Sequence, residues 1–271
     1  MLTQPSFPLE VQAVLGEIYA VTMPKQGATS HVWMVECEAG MRVVKHASRV
    51  PYVMWLMNEG AVLGRLSSAN FLQHYTARFP FPKLFLDGCV ADVERPFPYL
   101  VMSRLPGEPL ATVMSRESDR KRRLRWMSLL GAMLRDIHRF PTSLWRRKSW
   151  LDEQLKTAAS YVDAGFELDA DDPARLLEHI RTQRPADVPQ TFIHGDFMWD
   201  NVLVQDDRIT GIVDWGGGAY GDPRYDLALA ILPQEDGELS SAEVEAFYAG
   251  YGCDPLTETE YRYFTNLYEF F

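Results

Sequence analysis

The chain is 271 residues long and 46% hydrophobic, with 37 Asp and Glu against 27 Lys and Arg and a formal net charge of −10. That balance argues against a partner as acidic as nucleic acid, and no stretch approaches the ~20 apolar residues that cross a bilayer, so neither nucleic acid nor membrane is expected as a partner. Three cysteines without a C-x-x-C pair argue against a disulfide framework or a zinc site, and they fit a reduced, cytoplasmic protein.

The length suits two lobes, and the start, MLTQPSFPLEVQ, has no basic region followed by an apolar run, so no secretory leader is expected. Leu9–Ala20 carries apolar residues at helical spacing. From Val21 the pattern alternates and is broken by Gly27-Ala28-Thr29-Ser30, a turn of small residues between two strands, where backbone N–H groups can approach an anion without interference from a Cβ. Glu38-Ala39-Gly40 turns the chain into a further strand, Met41–Ala47, which holds Arg42-Val43-Val44-Lys45. Val53–Leu66 reads as a helix whose one acidic residue is Glu59. Leu84–Val90 and Arg95–Val101 read as strands, the second leading through Ser103 and Leu105 to the turn Pro106-Gly107-Glu108-Pro109. A boundary there predicts an N-terminal lobe over 1–103 and a C-terminal lobe over 104–271.

Asp119–Arg139 is the longest helical pattern, and its basic opening is a solvated face. His138, near its end, reads as structural. Ser149–Ala164 and Pro173–Gln183 follow as helices around the acidic segment 167–172, ELDADD, which either complements a helix N-terminus or receives ammonium groups. Ser240–Tyr251 and the aromatic-rich Thr257–Phe271 are also helical. The last reads as a core-facing helix, with a truncated chain or an oligomer contact as the alternatives.

The stretch Phe192–Asp226 organises the chain. Two short β-branched runs around Asp206-Asp207 read as a hairpin, which should bring Asn201, before its first strand, close to Asp214, after its second. With Asp196 on the same loop, three oxygen ligands converge and repel one another unless a cation or a proton intervenes. Gly216-Gly217-Gly218 then needs neighbouring packing or a ligand to fix it. Asp222 precedes Pro223 at a helix start and is placed to cap it.

The ordered set His194-Gly195-Asp196, Asn201 and Ile212-Val213-Asp214, with Gly221-Asp222-Pro223-Arg224-Tyr225-Asp226-Leu227-Ala228 beyond it, resembles the aminoglycoside phosphotransferase and choline kinase family, small-molecule relatives of protein kinases. The resemblance implies an α+β, two-lobed, protein-kinase-like fold with an N-terminal antiparallel sheet and a mainly helical C-terminal lobe. It implies ATP, with GTP as the alternative, and Mg²⁺. By position, Asp196 becomes the catalytic base, Asn201 and Asp214 the metal ligands, and Lys45 the phosphate contact steered by Glu59. Gly27 and Ser30 would lie beneath the triphosphate, and backbone groups of Ser103 and Leu105 would hold adenine. His194, Asp222 and Asp226 are supporting residues, Asp226 as a brace for the catalytic loop. One departure from the family is Phe197-Met198-Trp199-Asp200, where the bulky Trp199 should narrow the acceptor side or stack on a ring.

The expected activity is transfer of the ATP γ-phosphate to a hydroxyl of a small molecule, cationic if it is an aminoglycoside-type antibiotic. A metabolic kinase acting on homoserine, choline or a sugar is the alternative, as is a nucleotide-binding regulatory protein without turnover. A metal-dependent hydrolase built on His194 would need further ligands near that residue. The oligomeric state is not legible.

Overall fold

The computed structural model describes residues 6–24, 29–68, 78–90, 97–141, 149–166, 168–233 and 237–271. In chain order the elements used below are α1 (Leu9–Leu15), β1 (Ile18–Thr22), β2 (His31–Cys37), β3 (Gly40–His46), α2 (Tyr52–Ser68), β4 (Leu84–Val90) and β5 (Phe97–Ser103). They continue with α3 (Leu110–Arg116), α4 (Arg120–His138), α5 (Trp150–Ala164), α6 (Pro173–Thr182), β6 (Thr191–Ile193), β7 (Val202–Gln205), β8 (Arg208–Ile212), β9 (Ala219–Gly221), α7 (Pro223–Leu229), α8 (Ser241–Tyr251) and α9 (Glu258–Tyr268). Two units divide them: Met1–Gln73, Pro80–Gly107 and Leu203–Gly218 form the first, and His74–Phe79, Glu108–Val202 and Ala219–Phe271 the second.

The first unit is built on a sheet ordered β1-β2-β3-β5-β4 with antiparallel neighbours. Successive side chains of a strand point to opposite faces. Val35, Val44 and Val101 therefore share one face, where they bury Phe7, Val11 and Leu15 from α1 and the segment before it. Lys45, the next residue after Val44, faces the other way, in register with Val32 and Leu100. On that side lies α2, which buries Leu56, Val62, Leu63 and Leu66, each worth roughly 1.5–3 kcal/mol when fully removed from water.

The helix expected over Leu9–Ala20 stops at Leu15. Gly16 leaves the helical region with φ 69°, and Ile18–Thr22 instead becomes an edge strand against β2. Pairing with the sheet supplies hydrogen bonds along one side of those five residues, which outweighs their local helical spacing. Further along, the β7–β8 hairpin turns through Asp206 and Asp207, whose φ values of 50° and 58° are both left-handed. That is the backbone of a type I′ turn, whose twist matches that of the flanking strands.

In the second unit α4 packs along α8 through two glycines. A Cβ on Gly131 would stand 2.0 Å from the Phe247 carbonyl oxygen, and one on Gly250 would stand 2.1 Å from that of Ser128. Backbones therefore meet where side chains would hold them apart. Arg123 of α4 reinforces the crossing by donating Nε to Glu243 of α8 at 2.6 Å. The apolar side of α9 (Tyr263, Phe264, Leu267) packs with Trp150, Ile193 and Tyr225, so the aromatic C-terminal segment is core-facing. β6 pairs antiparallel with β9, Phe192 opposite Tyr220, which fixes the chain on either side of the loop that follows β6.

Two outcomes test this packing. Gly131→Ala must separate two backbones and should cost about 3 kcal/mol of unfolding free energy in urea titration, or prevent folding. Burial disfavours the Glu243 carboxylate, but the Ser240 hydroxyl and N–H together with Arg123 outweigh it and hold the group below its ordinary 4.5. A depressed acid contributes stability that is complete above the ordinary value and is lost as pH falls through the folded-state value. Glu243→Gln should therefore lower the melting temperature at about pH 7 and make little difference near about pH 3.

Candidate active site

In the first unit β3 delivers Lys45 and α2 delivers Glu59 to one point. The Lys45 Nζ donates to both Glu59 carboxylate oxygens at 2.9 Å and to Asp214 Oδ1 at 3.2 Å, joining residues 169 positions apart. Lys45 is 7% exposed and Glu59 2%, whereas half of the Asp214 side chain remains open to solvent. Burial works against the Lys45 ammonium, but the Asp214 and Glu59 charges outweigh it and raise its pKa above the free lysine value. The amine is a permanent cation at neutral pH. Burial pushes the Glu59 carboxyl upward, and Lys45 opposes that push.

Asp214 sits in the left-handed region, φ 64° and ψ 61°, an unusual conformation for a residue with a side chain. The segment after it is clamped from α2. Asn58 Nδ2 donates to the Gly216 and Gly218 carbonyls at 2.8 and 3.0 Å, and the Trp215 N–H donates to Glu59. A Cβ on Gly218 would press on Val62 at 3.0 Å, so glycine here permits close packing against the helix. Asn58 was not singled out in the sequence, although it stands immediately before Glu59.

Ser30 directly precedes β2; Gly27 lies outside the described residues. Ser103 donates its N–H to the Lys83 carbonyl and accepts the Lys83 N–H on Oγ, both at 2.9 Å. Its backbone donor is thus already satisfied. Leu105 makes no backbone hydrogen bond among the described residues, and its side chain closes against Gly211.

The second unit holds the loop 194–201. Asp226, fully buried on α7, accepts the His194 N–H at 2.7 Å and the Gly195 N–H at 2.8 Å. His138 of α4 adds its Nε2 at 3.0 Å, and its Nδ1 meets the Tyr251 hydroxyl at 2.8 Å. Asp226 thus ties the first turn of the loop to two helices. His194 Nδ1 accepts the Asp196 N–H at 3.2 Å, so the imidazole is part of the loop's internal bracing. Asn201 Nδ2 donates to the Asp196 carbonyl at 2.9 Å and to its Oδ2 at 2.8 Å. The other carboxylate oxygen, Oδ1, accepts the Tyr268 hydroxyl of α9 at 3.1 Å. Tyr268 was missed in the sequence because nothing local links it to a loop 72 residues away.

Trp199 does not face an acceptor. It is 1% exposed and donates its indole N–H to the Ala230 carbonyl at 2.8 Å. An indole at that position anchors the loop in the core, because burying its ring while pairing its one donor is the lower-energy arrangement. Asp222 caps α7 through the Arg224 N–H at 3.0 Å and pairs with the Arg224 guanidinium, which also reaches Glu260 at 2.8 Å.

The donor chemistry fits Mg²⁺. Asn201 commits its amide NH₂ to Asp196, leaving the amide oxygen to face elsewhere, and the Asp214 carboxylate is half open. Both are hard oxygen donors without sulfur or imidazole. Among the described residues no three His, Cys, Asp or Glu side chains gather into a metal-binding group. No helix among them is long and apolar enough to cross a membrane.

Replacing Asp226 strands the buried His194 N–H, the partly buried Gly195 N–H and His138 together. Asp226→Ala should cost about 3–5 kcal/mol by denaturant titration, and Asp226→Asn, which keeps one acceptor oxygen, should cost less.

Comparison with known proteins places this chain in a family. The model of the phosphotransferase enzyme family, APH, matches residues 21–264. An aminoglycoside 3′-phosphotransferase of Niallia circulans is 26% identical over 180 residues, 64% of this chain and 67% of that protein. A homoserine kinase of Neisseria meningitidis is 33% identical over 150 residues, 49% of this chain and 46% of that one. Across the first curated relatives the chain spans about half to two thirds of their length. The crystal structure of an aminoglycoside-3′-phosphotransferase of type VIII superposes with a TM-score of 0.73 at 24% identity, covering 96% of this chain and 97% of that one; the fold is therefore the α+β, protein-kinase-like one. With nine tenths of its residues inside the family model, the chain belongs to the phosphotransferase enzyme family.

Proposed function

We propose that the chain transfers the γ-phosphoryl group of ATP, with GTP as the alternative donor, to a hydroxyl of an aminoglycoside-type antibiotic. The observation that carries this reading is the Lys45 ammonium, held charged by Glu59 and Asp214. A buried cation beside a half-exposed carboxylate is what a triphosphate and its counter-ion require. Residues 1–103 take the nucleotide-binding role and 104–271 the catalytic and acceptor-binding role. Lys45 positions the triphosphate, Ser30 and Gly27 lie beneath it, and the linker backbone at Leu105 holds the base.

Asn201 and Asp214 are the Mg²⁺ ligands in this reading. Bound magnesium would offset negative charge on the phosphate oxygens. Asp196 orients the acceptor hydroxyl and takes its proton as the hydroxyl oxygen bonds to phosphorus and the bond to the ADP oxygen breaks. Positioning and charge neutralisation supply the rate, so no Ser or Cys nucleophile is needed.

Two features support a cationic acceptor. The net charge is −10, and burial together with the Asp169 and Asp171 charges raises the Glu269 carboxyl, so an acidic group adjoins Tyr268, whose hydroxyl touches Asp196. Ammonium groups would relieve that repulsion. The homoserine kinase relative supports a second reading, in which the acceptor is a metabolic alcohol. The described free thiols, Cys37 and Cys253, support a reducing cytoplasmic setting.

The test is a panel of amino-sugar antibiotics and metabolic alcohols with ATP and Mg²⁺, read by mass spectrometry for a phosphate-sized gain. Asp196→Ala and Asp214→Ala should each lower turnover by about 10³-fold or more, while Asp196→Ala retains nucleotide affinity in calorimetry. Turnover near wild type in Asp196→Ala would remove the reading.

A further inference from the structure

Asp196 is held from a direction that the loop motif does not contain. Its Oδ2 accepts from Asn201, five residues along the same loop, but its Oδ1 accepts from Tyr268 on the last helix at 3.1 Å. The Tyr268 hydroxyl also lies 3.1 Å from Met198 Sδ, and its ring stands edge-on to Tyr225 at 6.4 Å between centroids. Tyr225 is itself buried against Trp150 and Phe264. The hydroxyl is therefore fixed by a packed aromatic support, and α9 is seated in the core through Phe264 and Leu267.

An ionised carboxylate offers about four lone-pair sites on its two oxygens. A donor on each oxygen restricts rotation about the Cβ–Cγ bond. Without the Tyr268 hydroxyl, Oδ1 loses the donor that reaches it from outside the loop, and the carboxylate plane is held less firmly. A reacting hydroxyl needs its acceptor oxygen aimed, because misplacement by about 1 Å can cost 10²-fold in rate.

We propose that Tyr268 is a positioning residue that orients the Asp196 carboxylate toward the acceptor hydroxyl, so that the C-terminal helix forms part of the catalytic machinery through the hydroxyl of its final residue. This rests on the reading of Asp196 as the group that receives the acceptor proton. It assigns Tyr268 no contact with the nucleotide.

The test removes one atom. Tyr268→Phe keeps the ring and its packing, and kcat should fall roughly tenfold, with KM for ATP, KM for the acceptor and the calorimetric affinity for a non-hydrolysable ATP analogue unchanged. The melting temperature, measured beside Tyr261→Phe on the same helix, separates lost orientation from lost folding: Tyr261→Phe should keep wild-type kcat. Tyr268→Phe with wild-type kcat overturns the inference. So does a raised acceptor KM at unchanged kcat, which would make Tyr268 a substrate contact, and so does a kcat loss that only parallels a fall in melting temperature. Absence of phosphate transfer by the wild-type protein to any acceptor in the panel would remove the proposed function instead, which keeps the two failures distinct.

Discussion

The first unit is organised around one buried ammonium. Withdrawing a lysine and a glutamate from water costs several kcal/mol per ion, and their attraction does no more than balance that cost in many proteins. The Lys45–Glu59 pair is therefore a poor device for stability alone. It makes sense as a preset charge: Glu59 determines where the amine stands, and Asp214 joins it on the more exposed side. Much else in the unit serves that arrangement. The alternation of β3 turns Lys45 away from the core that Val44 enters, and α2 brings Glu59 while its neighbour Asn58 pins the segment after Asp214.

A second constraint governs the loop around Asp196. A polar loop that lies partly inside a protein must account for each of its backbone groups, and here one carboxylate settles two of them. Asp226 accepts two consecutive N–H groups and a histidine, so the loop's first turn can be buried with its hydrogen bonds satisfied. Trp199 supplies the opposite anchor, filling core volume while its only donor is paired. Between these two fixed points Asp196 is oriented by side chains from the loop and from the end of the chain.

The bracing residues thus differ in exposure from Asp214, a residue proposed to act. Asp226, Trp199 and Asp222 are buried, and their partners are protein groups. Asp214 keeps half of its side chain in solvent. That division follows from electrostatics: a carboxylate that must meet a cation or a hydroxyl cannot already be sealed within the core.

The family was legible in the sequence because its motifs are carried by short-range patterns. His194-Gly195-Asp196 with Asn201 five positions on, the hairpin that follows, and Asp214 at its end are all set by spacing along one stretch of chain. Helix bounds read from apolar periodicity also came close for α2, α4 and α5, whose buried faces repeat every three to four residues. Local spacing misled at Ile18–Thr22, where pairing with a neighbouring strand overrode it, and at Trp199, where a large aromatic in a loop looked like a substrate surface. Asn58 and Tyr268 were beyond its reach altogether. Their partners stand 158 and 72 residues away, and a hydrogen bond between such distant positions exists only once burial of apolar surface has brought the elements together. The sequence by itself determined which chemical groups the protein carries and their order along the chain; the tertiary structure decided which of them touch, because contact depends on how whole helices and sheets pack.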